Sequence, residues 1–115
     1  DMRAYVTRVP RGVVGAIRPW NLPYTMPVEI IVPALAVGNA VVWACAPSTS
    51  ICAVKLAECL IDAGLPSGLL NLITGPGAVV GDEIAVNPEV HALGFIGSVA
   101  TGHTVARQGA GKELL

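Results

Sequence analysis

Charge is what this sequence has least of. Its 115 residues include 7 Lys and Arg against 8 Asp and Glu, so charged side chains make up 13% of the chain, about half the share usual in a soluble domain. The formal net charge is -1 and the basic residues form no cluster. Nucleic-acid recognition needs Lys and Arg gathered on one face, so no nucleic-acid partner is expected. Cys45, Cys52 and Cys59 are odd in number and lack C-x-x-C spacing, which argues against a zinc site and a disulfide framework. Cys52 and Cys59, seven apart, read as small core hydrophobes on one helix face, and free thiols fit a reducing cytoplasm. The sequence also lacks G-x-S-x-G and any nucleophile beside a base. Asp82 and Glu83 are neighbours on a short helix and point apart, which disfavours a paired-carboxylate acid/base site. His91 and His103 stand alone and read as surface or satisfied histidines. Asp1-Met2-Arg3 opens the chain without a charged-then-apolar signal pattern, so secretion is not expected. There is no repeat, low-complexity tract or linker.

What the sequence has in abundance is apolar residues, 53% of the chain. A chain of this length is one domain at most, and so little polar material covers a small, high-surface object poorly. Part of its surface is therefore expected to lie against further polypeptide. From Ile30 to Val54 no residue is charged, a stretch long enough to raise the question of a membrane span. Pro33, Gly38-Asn39 and Pro47-Ser48-Thr49-Ser50 interrupt it, and such breaks would expose unpaired amides to lipid. It reads as a buried helix followed by a buried strand, with no membrane involved.

Strand and helix signals alternate along the chain. Gly12 to Ile17 is a short β-branched strand, followed by a helix over Tyr24 to Val37 that holds Pro27 in its first turn, is bent by Pro33 and stops at Gly38. Ala40 to Cys45 is a strand apolar on both faces, as in a parallel sheet covered on both sides. The next helix takes its N-cap from Ser48, Thr49 or Ser50, with an apolar stripe of Ile51, Val54, Ala57 and Ile61 beside a charged one of Lys55, Glu58 and Asp62. Gly64 ends it. Leu69 to Thr74 and Ala92 to Ile96 are further strands, with helices over Val79 to Val86 and Ala100 to Gln108. The pattern predicts an α/β fold: an open, mostly parallel sheet with helices on both faces.

In such sheets ligands bind beyond the carboxyl ends of the strands. Pro19-Trp20-Asn21 follows the first strand, where Asn21 is either a turn or capping residue or a side-chain amide able to donate to a developing oxyanion. Gly97-Ser98 follows the fourth strand and opens a helix, so it is either a plain tight turn or a phosphate site. Gly75-Pro76-Gly77 with Gly81 is glycine-rich without being G-x-G-x-x-G, and Pro76 removes an amide that a phosphate cradle would use.

Pro19-Trp20-Asn21, Pro33-Ala34-Leu35-Ala36, Gly38-Asn39, Ala63-Gly64-Leu65-Pro66 and Gly94-Phe95-Ile96-Gly97-Ser98 occur in one order and spacing. The series resembles the cofactor-binding domain of the NAD(P)-dependent aldehyde dehydrogenase family, from about Val9 to Lys112. The resemblance implies a Rossmann-like sheet and an incomplete fragment of that fold, residues 1–115 being part of the cofactor-binding domain without the catalytic domain. It implies NAD or NADP as cofactor and Asn21 as the oxyanion donor. Arg18 through its backbone, Pro19, Trp20, Gly97 and Ser98 would meet the cofactor, with Gly77 and Gly81 beside its adenosine end. Ala44 and Pro47 stand where the family usually has a lysine and often a glutamate that reach the ribose, so the choice between NAD and NADP stays open. The family's catalytic glutamate and cysteine are expected beyond Lys112 to Leu115, and none of the three cysteines stands at the nucleophile's place. The intact protein is expected to be a homo-oligomer that oxidises a small-molecule aldehyde, the fragment alone being inactive. Two alternatives remain: a non-catalytic binding or assembly module, and a reductive relative acting on acyl-CoA or acyl phosphate.

Overall fold

The apolar runs form five short strands and the segments between them four α-helices. The computed structural model describes residues 2–115. In chain order the elements are β1 (Val13–Ile17), α1 (Thr25–Ala36), β2 (Ala40–Ala44), a 3-10 turn (Pro47–Thr49), α2 (Ser50–Asp62), β3 (Leu70–Ile73), α3 (Gly77–Val86), β4 (Ala92–Phe95), α4 (Val99–Gln108) and β5 (Glu113–Leu114). All strand pairs are parallel and the sheet order is β3-β2-β1-β4-β5. The expected strand–helix alternation and the open sheet are both present.

Each face of the sheet carries its own core. On one, Val14, Ala16, Val41 and Trp43 pack with Ile30, Ile31 and Ala34 of α1 and Ala53 of α2. On the other, Ala44 and Leu93 pack with Ile84 and Ala85 of α3 and Val105 of α4. Burial on both faces is why β1 and β2 read as continuous apolar runs. Gly15, central in β1 and level with Val42 and Leu93, lets α3 come close: a Cβ there would lie 2.4 Å from Ile84 Cγ2. Gly38 and Gly64, at φ +90 and +92, stand one residue past the C-caps of α1 and α2, in the left-handed conformation that ends many helices. Asn39 is buried at the joint between α1 and β2. Its Oδ1 accepts from the Arg11 and Gly12 amides at 2.6 and 3.0 Å, and its Nδ2 donates to Ala34 O at 3.1 Å. His91 is a satisfied, exposed histidine whose Nδ1 accepts from the Val13 amide at 3.1 Å.

Four local expectations are corrected. The stripe Ile51, Val54 and Ile61 is exposed, and α2 instead turns Ala53, Leu56 and Leu60 inward. This is also an i, i+3, i+7 set, and periodicity alone does not choose between two apolar faces. The hydroxyls before α2 do not cap it: Ser50 Oγ donates to Pro47 O at 3.1 Å and Thr49 Oγ1 to Ala46 O at 3.5 Å, holding the 3-10 turn that Pro47 starts. Cys52 is half-buried and Cys59 exposed, while Cys45 is the buried thiol, its pKa pushed up by that burial. Finally, Glu113–Leu114 adds a fifth strand, too short to show a period of its own. It lies beside β4, with Leu115 N–H donating to Leu93 O at 2.7 Å. Lys112 Nζ donates to Val90 O at 2.8 Å and also to Asn87 O, tying the turn before β5 to the loop before β4.

Candidate functional site

The chain order of the strands reverses between β1 and β4. From β1 the chain steps outward to β2 and β3, then α3 returns it across the sheet to β4. Helices on either side of that point diverge, and the crevice beyond the strand ends is where open α/β sheets take ligands. Ile96 N–H donates to Ile17 O at 3.2 Å and Arg18 N–H to Ala44 O at 3.2 Å, so the segments leaving β1, β2 and β4 start side by side. The Pro19-Trp20-Asn21 and Gly97-Ser98 loops therefore leave the sheet from adjacent strand ends.

Trp20 and Asn21 are exposed in the turn between β1 and α1. Asn21 does not cap α1: Tyr24 is the N-cap, with no side-chain hydrogen bond to the helix. Ser98 is the N-cap of α4, its Oγ accepting from the Thr101 amide at 3.2 Å and hydrogen-bonded to Thr101 Oγ1 at 2.9 Å. That leaves the Val99 and Ala100 amides without intrahelical acceptors, at the positive end of the helix dipole. Gly97 lies on the Phe95 ring, where a Cβ would come within 2.5 Å of Cζ, so a larger residue there would have to displace the ring.

On the same side of the sheet, Gly77 opens α3 and Gly81 is buried, a Cβ at Gly81 meeting Ile17 Cδ1 at 3.8 Å. A Cβ at Gly77 would meet nothing within 4 Å. Ala44 ends β2, buried among Ile84, Ala85 and Leu93, while Pro47 is exposed in the 3-10 turn. The sequence-derived residues thus fall around the carboxyl ends of β1, β2 and β4, with Gly77 and Gly81 on the helix that crosses above them.

One feature escaped sequence reasoning. The Arg18 amide is taken by Ala44 O, and its side chain is 7% exposed with Nε lacking a partner. Burial pushes the guanidinium pKa down, the Glu29 carboxylate opposing part of that shift. The signal was available: a charged residue at the end of an apolar run that packs on both faces.

Comparison with known proteins decides the family. The family model described as "Aldehyde dehydrogenase family" matches residues 1–115. The chain belongs to the aldehyde dehydrogenase family. It is 44% identical over 107 residues to the alpha-ketoglutaric semialdehyde dehydrogenase of Bacillus subtilis, covering 93% of this chain and 22% of that protein. To the phenylacetaldehyde dehydrogenase of Pseudomonas fluorescens it is 48% identical over 103 residues, covering 90% and 20%. Among solved structures, glyceraldehyde-3-phosphate dehydrogenase GapN of Methanocaldococcus jannaschii, complexed with NADP, superposes with a TM-score of 0.89 at 37% identity, covering 94% of this chain and 25% of that one. Betaine aldehyde dehydrogenase of Staphylococcus aureus, in complex with NAD+, does so with a TM-score of 0.88 at 34% identity, covering 91% and 22%. The chain spans about a fifth of the length of the aldehyde dehydrogenases it matches. No helix among the described residues is long and apolar enough to cross a membrane, and no group of His, Cys, Asp or Glu there suits a metal ion.

Proposed function

We propose that these residues are the dinucleotide-binding segment, with the oxyanion asparagine, of an enzyme that oxidises an aldehyde to a carboxylic acid with NAD or NADP. The observation that carries this reading is the departure of the Pro19-Trp20-Asn21 and Gly97-Ser98 loops from adjacent strand ends at the reversal point of the sheet. The residues present fit a dinucleotide. Ser98 and the Val99 and Ala100 amides offer donors to a pyrophosphate, and the bare surface at Gly77 permits close approach of the adenosine end. Trp20 and Pro19 would wall the nicotinamide side.

When bound, the cofactor supplies the hydride acceptor. This chain's contribution to the chemistry is Asn21, whose Nδ2 would donate to the oxygen that gains charge as a cysteine elsewhere in the enzyme adds to the aldehyde carbon. Ala44 and Pro47 offer the ribose neither a cation nor a carboxylate: the missing carboxylate relaxes rejection of a 2′-phosphate and the missing lysine removes a cation that would attract it. We place the protein in a reducing cytoplasm, in keeping with three free thiols. We also read it as part of a homo-oligomer, in keeping with exposed Ile51 and Ile61.

Calorimetric titration of NAD and NADP into the complete enzyme tests the reading. Binding of either, weakened about tenfold by Ser98→Ala through loss of a charge-assisted hydrogen bond, is expected. Binding of neither dinucleotide would contradict it, and binding without turnover of any aldehyde would favour a non-catalytic module.

A further inference from the structure

What the Ser98 hydroxyl can do for a ligand depends on a residue one helical turn further on. Ser98 Oγ accepts from the Thr101 amide at 3.2 Å, and the two hydroxyls, Ser98 Oγ and Thr101 Oγ1, are hydrogen-bonded at 2.9 Å. Among the described residues that is the one hydrogen bond of the Thr101 hydroxyl. The pair is held by more than its own bonds. Gly97 and Gly102, on either side of it, both lie against the Phe95 ring: a Cβ would stand 2.5 Å from Cζ at the first and 3.3 Å from Cε1 at the second. The ring itself packs on the core formed with α3 and α4, so the turn and the start of α4 rest on one fixed support.

A serine oxygen has two lone pairs and one proton. The Thr101 amide fills one lone pair, and the bond between the hydroxyls can then run in two directions. With Ser98 as donor, its proton is spent on Thr101 Oγ1 and the cap offers a ligand no hydroxyl donor. With Thr101 as donor, both lone pairs of Ser98 are filled and its proton is left to point away from the helix, beside the unpaired Val99 and Ala100 amides. An anion in front of the helix accepts that proton and so selects the second direction, in which each O–H polarises the next.

We propose that Thr101 is a positioning residue for the dinucleotide: its hydroxyl donates to Ser98 and thereby makes Ser98 a donor to a phosphate oxygen of the pyrophosphate. Removing the Thr101 hydroxyl leaves the backbone cap in place, because Thr101 N–H still donates to Ser98 Oγ, but frees the Ser98 hydroxyl to turn among its staggered positions. The proposal deepens the dinucleotide-binding reading above and rests on it.

Calorimetric titration of NAD and NADP into the complete enzyme and its variants tests it. Thr101→Val, which keeps the shape and loses the hydroxyl, weakens dinucleotide binding about threefold, the cost of fixing a rotor with three staggered positions. Thr101→Ser restores the parent affinity. In a Ser98→Ala background Thr101→Val has no further effect, since its influence runs through the Ser98 hydroxyl. Tm is the same in the parent, Thr101→Val and Thr101→Ser. A dinucleotide that binds the parent and Thr101→Val equally well, or that is weakened by Thr101→Val as much without the Ser98 hydroxyl as with it, would overturn the role of Thr101 and leave the dinucleotide reading standing. So would a loss in Thr101→Val that comes with a lowered Tm and is not restored by Thr101→Ser, which would make Thr101 a structural residue of α4. A parent enzyme that binds neither dinucleotide would overturn the reading and the proposal together.

Discussion

Single residues at the sheet centre and at the crevice have separable roles, because the space around each glycine differs. At Gly15 a Cβ would press on Ile84 Cγ2 at 2.4 Å and on Leu93 and Val90 at 3.1 Å. Gly15→Ala is expected to destabilise the enzyme by about 1–3 kcal/mol, the usual cost of overpacking, seen as a lower Tm with dinucleotide affinity retained. Gly77→Ala is the converse. It meets no neighbour within 4 Å and stiffens the unfolded chain, so stability should hold or rise by up to about 1 kcal/mol while dinucleotide binding weakens. Equal effects of both variants on binding would remove Gly77 from the cofactor site. The site was legible at this scale wherever a residue type carries chemistry of its own: Asn21 after a strand, Ser98 before a helix. Arg18 was read only through its backbone, because nothing local says that a long cationic side chain folds inward. That depends on Gly94, 76 residues away in sequence, leaving room for it.

At the scale of elements, the strands and helices followed from punctuation and pattern, and the errors share one cause. The stop signals Gly38 and Gly64 act locally and stand where helices end. Which face of α2 is inward depends on how the helix lies on β2 and β3, and two overlapping apolar sets fit the sequence equally. Ser48, Thr49 and Ser50 offered cap chemistry, but Pro47 starts a 3-10 turn whose carbonyls take the hydroxyls first. β5 depends on a neighbour: two residues become a strand because β4 supplies the partners. Asn39 joins three elements with three hydrogen bonds from one buried side chain. Asn39→Ala leaves the Arg11 and Gly12 amides to find new partners, while Ala34 O keeps the Asn39 backbone N–H, and a loss of about 1–3 kcal/mol is expected. Chemical denaturation of the complete enzyme should show the midpoint fall with the slope unchanged. A midpoint equal to the parent's would mean that water satisfies both amides.

At the scale of the whole molecule, the architecture was the most legible feature, since alternating strands and helices with both-face burial leave few alternatives to a parallel sheet. Its apolar excess also has a physical reading. Large side chains such as Tyr5, Val9, Val37 and Leu115 stay exposed, and the matched aldehyde dehydrogenases are about four times as long, enough polypeptide to cover such patches. The central claim is that this segment binds the dinucleotide and supplies the oxyanion donor for aldehyde oxidation. It is tested most directly by following nicotinamide reduction in the complete enzyme and its Asn21→Ala variant, with a panel of aldehydes at saturating NAD and NADP. The account predicts aldehyde-dependent reduction whose kcat falls about a hundred- to a thousandfold in the variant, the usual loss for one oxyanion donor, with dinucleotide affinity preserved. An unchanged kcat in the variant, or no aldehyde-dependent reduction by the parent enzyme, would contradict it.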